Sequence, residues 1–379
     1  MAGLCLLRVY ATPAEEDQSL RVQIDSVLSG VVRPSDPGLA IVVKRGSEIY
    51  FEKGYGVREI GKSGSIGTTT NFRLASVTKQ FTAMAIMLLI HDGKLRYEDR
   101  LTDIWPDFPG YGKQITVRHL LTHTSGLRDY EALMEADEKA HGPSWSAERQ
   151  IQDAEVLRLL KAQASGEFPS GTKWEYSNSG YVTLGLIVAK VSGITYGEFL
   201  QKRVFLPLGM NHTLVYVRGR NEVTDRAFGH TKVGELFQVT DQSATSATLG
   251  DGGIYSNVED LAKWDDGLTK HTLLSEREML PAWTSAKNTD GTGYFWPKNG
   301  REREQTPPVT VAYGFGWFLD PYKGQAREYH DGESIGFRST IQRFVNEKLT
   351  IVILSNRSDL LAEELAEKIS NLIFAAEKK

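Results

Sequence analysis

Residues 73–94 read RLASVTKQFTAMAIMLLIHDGK, and the reading of Ser76 and Lys79 within them decides the fold. Ala83, Met84 and the run Ile86 to Ile90 leave almost no polar face, so the spacing predicts a helix buried on most sides and ended by Gly93. Ser76 stands where helix caps are found. One reading makes it an N-cap and lets Lys79 carry its charge out to solvent along its own stem. The other takes the two residues together. At i and i+3 their Cβ atoms lie about 5–6 Å apart on one helix face, so the amine reaches back to the hydroxyl. A dry helix wall disfavours the ammonium form, and a neutral lysine accepts a proton from serine, as Ser/Lys nucleophilic catalysis requires. The positive end of the helix would also favour an oxyanion.

The rest of the chain bounds these readings. Its 379 residues are 40% hydrophobic and 24% charged, with a formal net charge of −4, a balance typical of folded globular proteins. No basic run interleaves with aromatic residues, which argues against nucleic acid as a partner. Cys5 is the only cysteine, so an intrachain disulfide is excluded. No apolar stretch approaches the roughly 18 residues of a membrane span. The first residues, MAGLCLLRVYATPAEEDQ, combine a short apolar patch with a small-residue site near Ala14, but Arg8 interrupts the patch and no basic region precedes it. Residues 1–15 therefore read as a shortened signal peptide or a disordered tail. The first implies a periplasmic or secreted protein, the second a cytoplasmic one. No motif specifies an oligomeric state.

Along the chain, Gln18 to Leu28 has amphipathic helical spacing, and Leu39 to Val57 reads as a hairpin turning at Arg45-Gly46-Ser47. From about 97 to 300 the signals are mostly helical, with helices near 151–163, 180–192, 196–204 and 257–267. Strands return as GFGWFL (314–319), STIQRFV (339–345) and LTIVILSN (349–356), and ELAEKISNLIFAAEKK closes the chain as an amphipathic helix. The expectation is an α/β (α+β) fold: an antiparallel sheet built from both chain ends (16–75 and 305–379), flanked by helices, with an inserted mainly helical domain (76–304) and a site in the cleft between them.

Three short motifs occur in order: Ser76-Val77-Thr78-Lys79, Tyr176-Ser177-Asn178 and His330-Asp331-Gly332. A Ser-x-x-Lys followed by a polar triplet and a sheet triplet is the pattern of penicillin-recognising serine acyltransferases. Each motif also has a second copy with a local explanation. Ser170 to Lys173 follows Pro169 and contains Gly171, as a loop would. Ser256 of Tyr255-Ser256-Asn257 makes a capping box with Glu259. His91-Asp92-Gly93 lies at a helix C-terminus, where histidine and glycine are expected.

LASVTKQFTA (74–83), VRHLLTHTSGL (117–127), YSNSGYVTLGLIVAKVSG (176–193), GGIYSNVEDLAKW (252–264) and YGFGW with HDGESIGF (313–317 and 330–337) together resemble the serine β-lactamase-related family. That family includes class C β-lactamases, D-alanyl-D-alanine carboxypeptidases and related esterases. The resemblance runs from about residue 35 to 358. It implies a β-lactamase/transpeptidase-like fold and an acyl-enzyme mechanism without metal or cofactor. Ser76 would be the nucleophile, Lys79 would help remove its proton, and Tyr176 would act as base and then as acid. Asn178 would hold the substrate amide or the lysine, and His330 would line the site from an edge strand. Gly332 would let substrate backbone approach, and the Ser76 and Glu333 N–H groups would form the oxyanion hole. Where the family carries Lys-Thr-Gly this chain has His-Asp-Gly. Asp331 would repel an anion at close range, so β-lactam turnover is expected to be weak, although a protonated His330 could still receive a carboxylate. The substrate expected is a small ester, peptide or β-lactam.

Rival readings are weaker on context. Gly332 to Gly336 is formally Gly-x-Ser-x-Gly, but no helix follows it and all eight histidines precede Ser334, against the demands of that elbow. His119 and His123 have zinc-pair spacing without the glutamate of His-Glu-x-x-His, which favours packing roles. Asp129 and Tyr130 could face substrate, though loop polarity alone explains them. Trp174, Phe315 and Trp317 read as core rather than as an acyl pocket. A non-catalytic ligand sensor on the same fold is the alternative of a different class. The joint presence of serine, lysine and tyrosine argues for the enzyme.

Overall fold

The computed structural model describes residues 13–288, 291–295 and 310–376. Most of the expected leader, the segment boundary at 304/305 and Cys5 lie outside them. Helix α1 (Pro13–Ser29) leads into strands β1 (Leu39–Arg45) and β2 (Glu48–Tyr55), and β3 (Phe72–Arg73) precedes α2 (Thr78–His91). The helical stretch comprises α3 (Leu101–Ile104), α4 (Val117–Leu121), α5 (Tyr130–His141), α6 (Asp153–Lys161), α7 (Asn178–Ser192), α8 (Tyr196–Leu200) and α9 (Leu206–Leu208). Strand β4 (Leu214–Val215), the hairpin β5 (His230–Val233) and β6 (Leu236–Val239), and β7 (Ile254–Ser256) come next. They are followed by α10 (Val258–Thr269), α11 (Glu276–Met279), the short pair β8 (Tyr294–Phe295) and β9 (Thr310–Val311), then β10 (Arg327–Ser334), β11 (Phe337–Phe344), β12 (Leu349–Ser355) and α12 (Ala362–Ala376).

The main sheet runs β10-β11-β12-β1-β2, antiparallel throughout, with Leu39 opposite Ser355 and Arg45 opposite Leu349. Both chain ends therefore supply it, as expected. Alternation along β1 explains why LAIVVKR is an unbroken apolar run up to its last two residues: both faces are covered. Leu39, Ile41 and Val43 pack with Ile24 and Leu28 of α1 and Ile369 of α12. Ala40 and Val42 face a larger cluster that includes Phe81, Leu121 and Leu184 from the helical stretch. A smaller sheet, β3-β7-β4, lies against the start of α2.

Two sequence expectations are corrected. GFGWFL forms no regular strand: Gly314 N–H bonds the Trp317 carbonyl at 2.9 Å in a tight turn, and Phe318 makes only isolated bridges, to Tyr313 and Tyr329. Gly316, with φ +78°, breaks the extended path. The cap of α10 is not Ser256 but Asn257, whose side chain accepts the Asp260 N–H at 2.8 Å. Ser256 lies within β7 and shares a hydrogen bond with Thr213 at 2.7 Å.

The alternation that turns Ala40 and Val42 inward also turns Lys44 inward, where it meets α10. Its ammonium pairs with Asp265 at 2.6 Å, and Asp265 also accepts from Arg343 Nε at 2.7 Å and from Thr350 at 2.9 Å. Burial works against the charge, yet Arg343 and Lys44 hold this carboxyl below its ordinary range. Asp265→Asn removes the carboxylate that Lys44 and Arg343 share, leaving Lys44 to Asp266 and Arg343 to Glu328, and is expected to cost about 1–3 kcal/mol, read as a lower denaturant midpoint at unchanged slope.

Candidate active site

Strand β3 delivers the chain to a short 3-10 turn, Ala75–Val77, from which α2 continues. Ser76 sits in that turn and does not cap the helix; Val77 holds the cap position and offers no side-chain bond. The turn is forced from outside. Ala75 takes φ +49°, a left-handed conformation that costs a residue with a Cβ about 1–3 kcal/mol. The Leu74 N–H bonds the Ile254 carbonyl of β7 at 2.9 Å, and the Leu74 carbonyl accepts from Ser339 Oγ of β11 at 2.7 Å. Clamped between two sheets, the turn presents a partly exposed Ser76 hydroxyl.

Lys79, one helical turn on, is buried rather than snorkelling. Its Nζ lies 3.0 Å from Ser76 Oγ, 2.9 Å from Asn178 Oδ1 and 3.1 Å from the Asp251 carbonyl. Three acceptors satisfy the three N–H bonds of an ammonium. Burial, only partly opposed by Asp251 and Glu131, lowers its pKa to about 8. As a neutral amine it keeps two donors and frees a lone pair for the serine proton.

Tyr176 joins this pair from the loop ahead of α7. Ser177 caps that helix, accepting the Gly180 N–H at 3.0 Å, and donates its own N–H to His123 Nδ1 at 3.0 Å. That cap makes Asn178 the first helical residue, aimed at Lys79. The Tyr176 ring lies against His123 at 4.3 Å between centroids with a 37° tilt, and Lys79 Nζ lies 4.8 Å from its centre. His123 is buried and held neutral by desolvation, its pKa well below the ordinary value. It lies beyond the end of α4 with φ +59°, so HLLTH does not put both histidines on one helix face. Among the described residues no group of three or more His, Cys, Asp or Glu is placed to hold a metal ion.

The third motif departs from expectation in three ways. First, His330 lines the site from edge strand β10, but it is buried and burial pushes its pKa down to about 3. Nδ1 donates to the Asp331 carbonyl at 2.7 Å, and Nε2 accepts from Tyr313 OH at 3.2 Å, the pairing of a neutral ring. A ring paired in this way offers no charge to a carboxylate. Second, strand alternation turns Asp331 to the opposite face, where Thr340 donates to its carboxyl at 2.6 Å. Burial raises that carboxyl to about 7, with Glu363 and Glu367 of α12 and Arg327 as its charged neighbours. It does not face an incoming anion. Third, Gly332 is required by the protein itself: a Cβ there would stand 2.2 Å from the Leu74 carbonyl oxygen and 2.2 Å from Ser339 Oγ. This close approach sets the Glu333 backbone beside the turn that carries Ser76, while the Glu333 side chain pairs with Arg338 at 2.9 Å.

The second motif copies stay apart from this constellation. Ser170 Oγ donates to the Gln114 carbonyl in a loop, Tyr255 is buried in β7 with its OH on Arg226, and His91 ends α2. Asp129 caps α5 through the Ala132 N–H, Tyr130 is buried, and Trp174, Phe315 and Trp317 are core. What sequence reasoning missed is Asp251, whose carbonyl is the third acceptor of Lys79. Its one signal is a run, Gly250-Asp251-Gly252-Gly253, in which a charged residue sits among glycines.

A family model described as Beta-lactamase matches residues 30–374. Penicillin-binding protein 4* of Bacillus subtilis (strain 168) is 30% identical over 336 residues, covering 84% of this chain and 68% of that protein. Protein flp of Staphylococcus aureus (strain MRSA252) is 25% identical over 356 residues, 93% of this chain and 66% of its own length. The chain thus spans about two thirds of the length of these curated relatives. The octameric penicillin-binding protein homologue from Pyrococcus abyssi superimposes with a TM-score of 0.75 at 25% identity, over 94% of this chain and 77% of that one. A D-amino acid amidase from Ochrobactrum anthropi SV3 shares the fold with a TM-score of 0.76 at 24% identity, covering 95% and 99% of the two chains.

Gly332→Ala pushes the Leu74 carbonyl, and with it the Ser76 turn, off β10. Overpacking of this kind costs about 1–3 kcal/mol. The variant is expected to melt earlier and to lose reactivity toward a fluorophosphonate, whereas Ser170→Ala changes neither, as differential scanning fluorimetry and intact mass would record.

Proposed function

The chain belongs to the beta-lactamase family, and from that premise we propose that it is a serine hydrolase acting through an acyl-enzyme on small esters or amides. The observation that carries this reading is the 3.0 Å contact between a buried Lys79 amine and Ser76 Oγ, with the Tyr176 ring 4.8 Å from that amine.

The steps follow from those groups. Ser76 Oγ attacks the acyl carbon while its proton passes to the neutral Lys79 amine. The oxyanion forms against the N–H groups of Ser76 and Glu333. As the tetrahedral adduct collapses, the leaving oxygen or nitrogen takes a proton from Tyr176, which regains one from Lys79. Water then attacks the ester of Ser76 by the same proton route in reverse and releases the acid. Asn178 holds the amine in line throughout. Gly332 serves by docking the serine turn.

The substrate class rests on the third motif. With His330 neutral and Asp331 turned away, the motif offers no fixed cation for a substrate carboxylate. Esterase-like or D-amino-acid peptidase-like turnover is favoured, and β-lactam hydrolysis is weak for want of a positive partner rather than through repulsion. Across p-nitrophenyl esters, a D-alanyl-D-alanine peptide and a chromogenic cephalosporin, short esters are expected to have the highest kcat/KM; a cephalosporin turned over fastest would reverse the assignment.

Labelling with a fluorophosphonate should add one adduct to the wild type and none to Ser76→Ala. Absence of labelling and of ester turnover would instead favour a ligand sensor on this fold. Lys79→Ala and Tyr176→Phe are expected to slow turnover by about 10²–10⁴. The pH dependence has a definite sign. Lys79 must be neutral to accept the proton, and its pKa is lowered to about 8. Log kcat/KM should therefore climb with pH and level off above about 8, a limb that steady-state rates between pH 5 and 10 would trace.

A further inference from the structure

His123 binds the chain on both sides of Tyr176. Its backbone carbonyl accepts the Glu175 N–H at 2.9 Å, and its ring Nδ1 accepts the Ser177 N–H at 3.0 Å. The residue between those two donors is the one that carries the phenol, and the Tyr176 ring lies against the same imidazole. One residue therefore holds Tyr176 at both flanking peptides and along its side chain.

The clamp is itself anchored. Tyr181 OH of α7 donates to the Leu121 carbonyl at the end of α4 at 2.9 Å, and the Thr124 carbonyl accepts the Gly171 N–H at 2.8 Å. Ser177 also joins the clamp to α7, because its Oγ accepts the Gly180 N–H at 3.0 Å. The first residue of that helix, Asn178, is the one that meets Lys79 at 2.9 Å.

His123 is a costly choice for mere filling. It takes φ +59°, a conformation that a residue with a Cβ adopts only under constraint. Burial, with Lys79 and His330 nearby, keeps the ring neutral, and a neutral ring that accepts at Nδ1 carries its proton on Nε2. The ring packs among Trp174, Tyr181 and Tyr313, and among the described residues Nε2 is buried without a hydrogen-bond partner. A buried donor left unpaired costs free energy. A hydrocarbon side chain would fill the space without that cost, but it would lack the acceptor at Nδ1.

We propose that His123 is a positioning residue for proton donation to the leaving group: its carbonyl and its imidazole Nδ1 take the two N–H groups that flank Tyr176 and so hold the phenol beside the Lys79 amine. The proposal rests on the serine hydrolase reading above.

The test compares kcat/KM for the p-nitrophenyl and ethyl esters of one short acid. p-Nitrophenolate departs without a proton, whereas ethoxide needs one, so a misplaced phenol harms the second ester more. A loss of folded enzyme lowers both alike. In Tyr176→Phe and in His123→Leu the preference for the p-nitrophenyl ester is expected to grow about tenfold or more, a share of the 10²–10⁴ that a general acid supplies. His123→Asn, which tolerates the left-handed backbone and offers an oxygen acceptor near the place of Nδ1, should return the preference toward the wild-type value. Equal losses on the two esters in folded His123→Leu would overturn the proposal, as would His123→Asn departing as far as His123→Leu, and both results leave the function intact. A wild type that hydrolyses neither ester and takes no fluorophosphonate would overturn the function itself. If His123→Leu does not fold, His123→Gly, at ease with a positive φ, replaces it with the same expectation. If neither folds, the wild type decides by NMR. A ¹⁵N–¹⁵N coupling across the hydrogen bond from the Ser177 amide to His123 Nδ1 supports the clamp, and its absence overturns it.

Discussion

A primary amine sealed from water is the constraint on which this structure depends. An ammonium taken out of water costs several kcal/mol unless every N–H finds a partner, and Lys79 finds three within 3.1 Å. Those partners come from the serine turn, from the first residue of α7 and from the loop before β7. The three segments must meet within a few tenths of an ångström for the helix to bury its lysine. Backbone contact at Gly250, the cap on Ser177 and the clamp on Leu74 are each a means to that meeting. Stability and chemistry draw here on the same hydrogen bonds.

Much of this was legible in the sequence, and the limits are instructive. The apolar run after Lys79 announced a buried helix, and the alternating strands at both ends announced a shared sheet. Local context also separated the motifs that converge from their second copies, since Ser170 lies in a loop and His91 at a helix end. What escaped depends on contacts between distant segments. Ser76 looks like a helix cap until Ala75 is seen at φ +49°, a conformation that alanine does not advertise. Asn257 outcompetes Ser256 as a cap because β7 holds the serine in the small sheet. Asp251 carries no motif, because its backbone carbonyl rather than its side chain reaches the lysine.

The third motif shows how strand parity alters a chemical argument. His330 and Asp331 are adjacent in sequence but lie on opposite faces of β10, one against Tyr313 and the other against Thr340. A reading by residue type places an anion in the cleft; the register places a neutral imidazole there. The proposed substrate preference therefore rests on a different cause. Gly332 changes meaning in the same way, since the backbone it admits is that of Leu74.

The sheet that carries this motif has a further consequence during synthesis. Leu39 of β1 pairs with Ser355 of β12, so the hairpin made first leaves the ribosome long before its central neighbour exists. At about 5–20 residues per second the interval is roughly 15–60 s. Throughout it the inner edge of β1 is an unpaired, apolar template. The cleft has no floor until the last strands are translated.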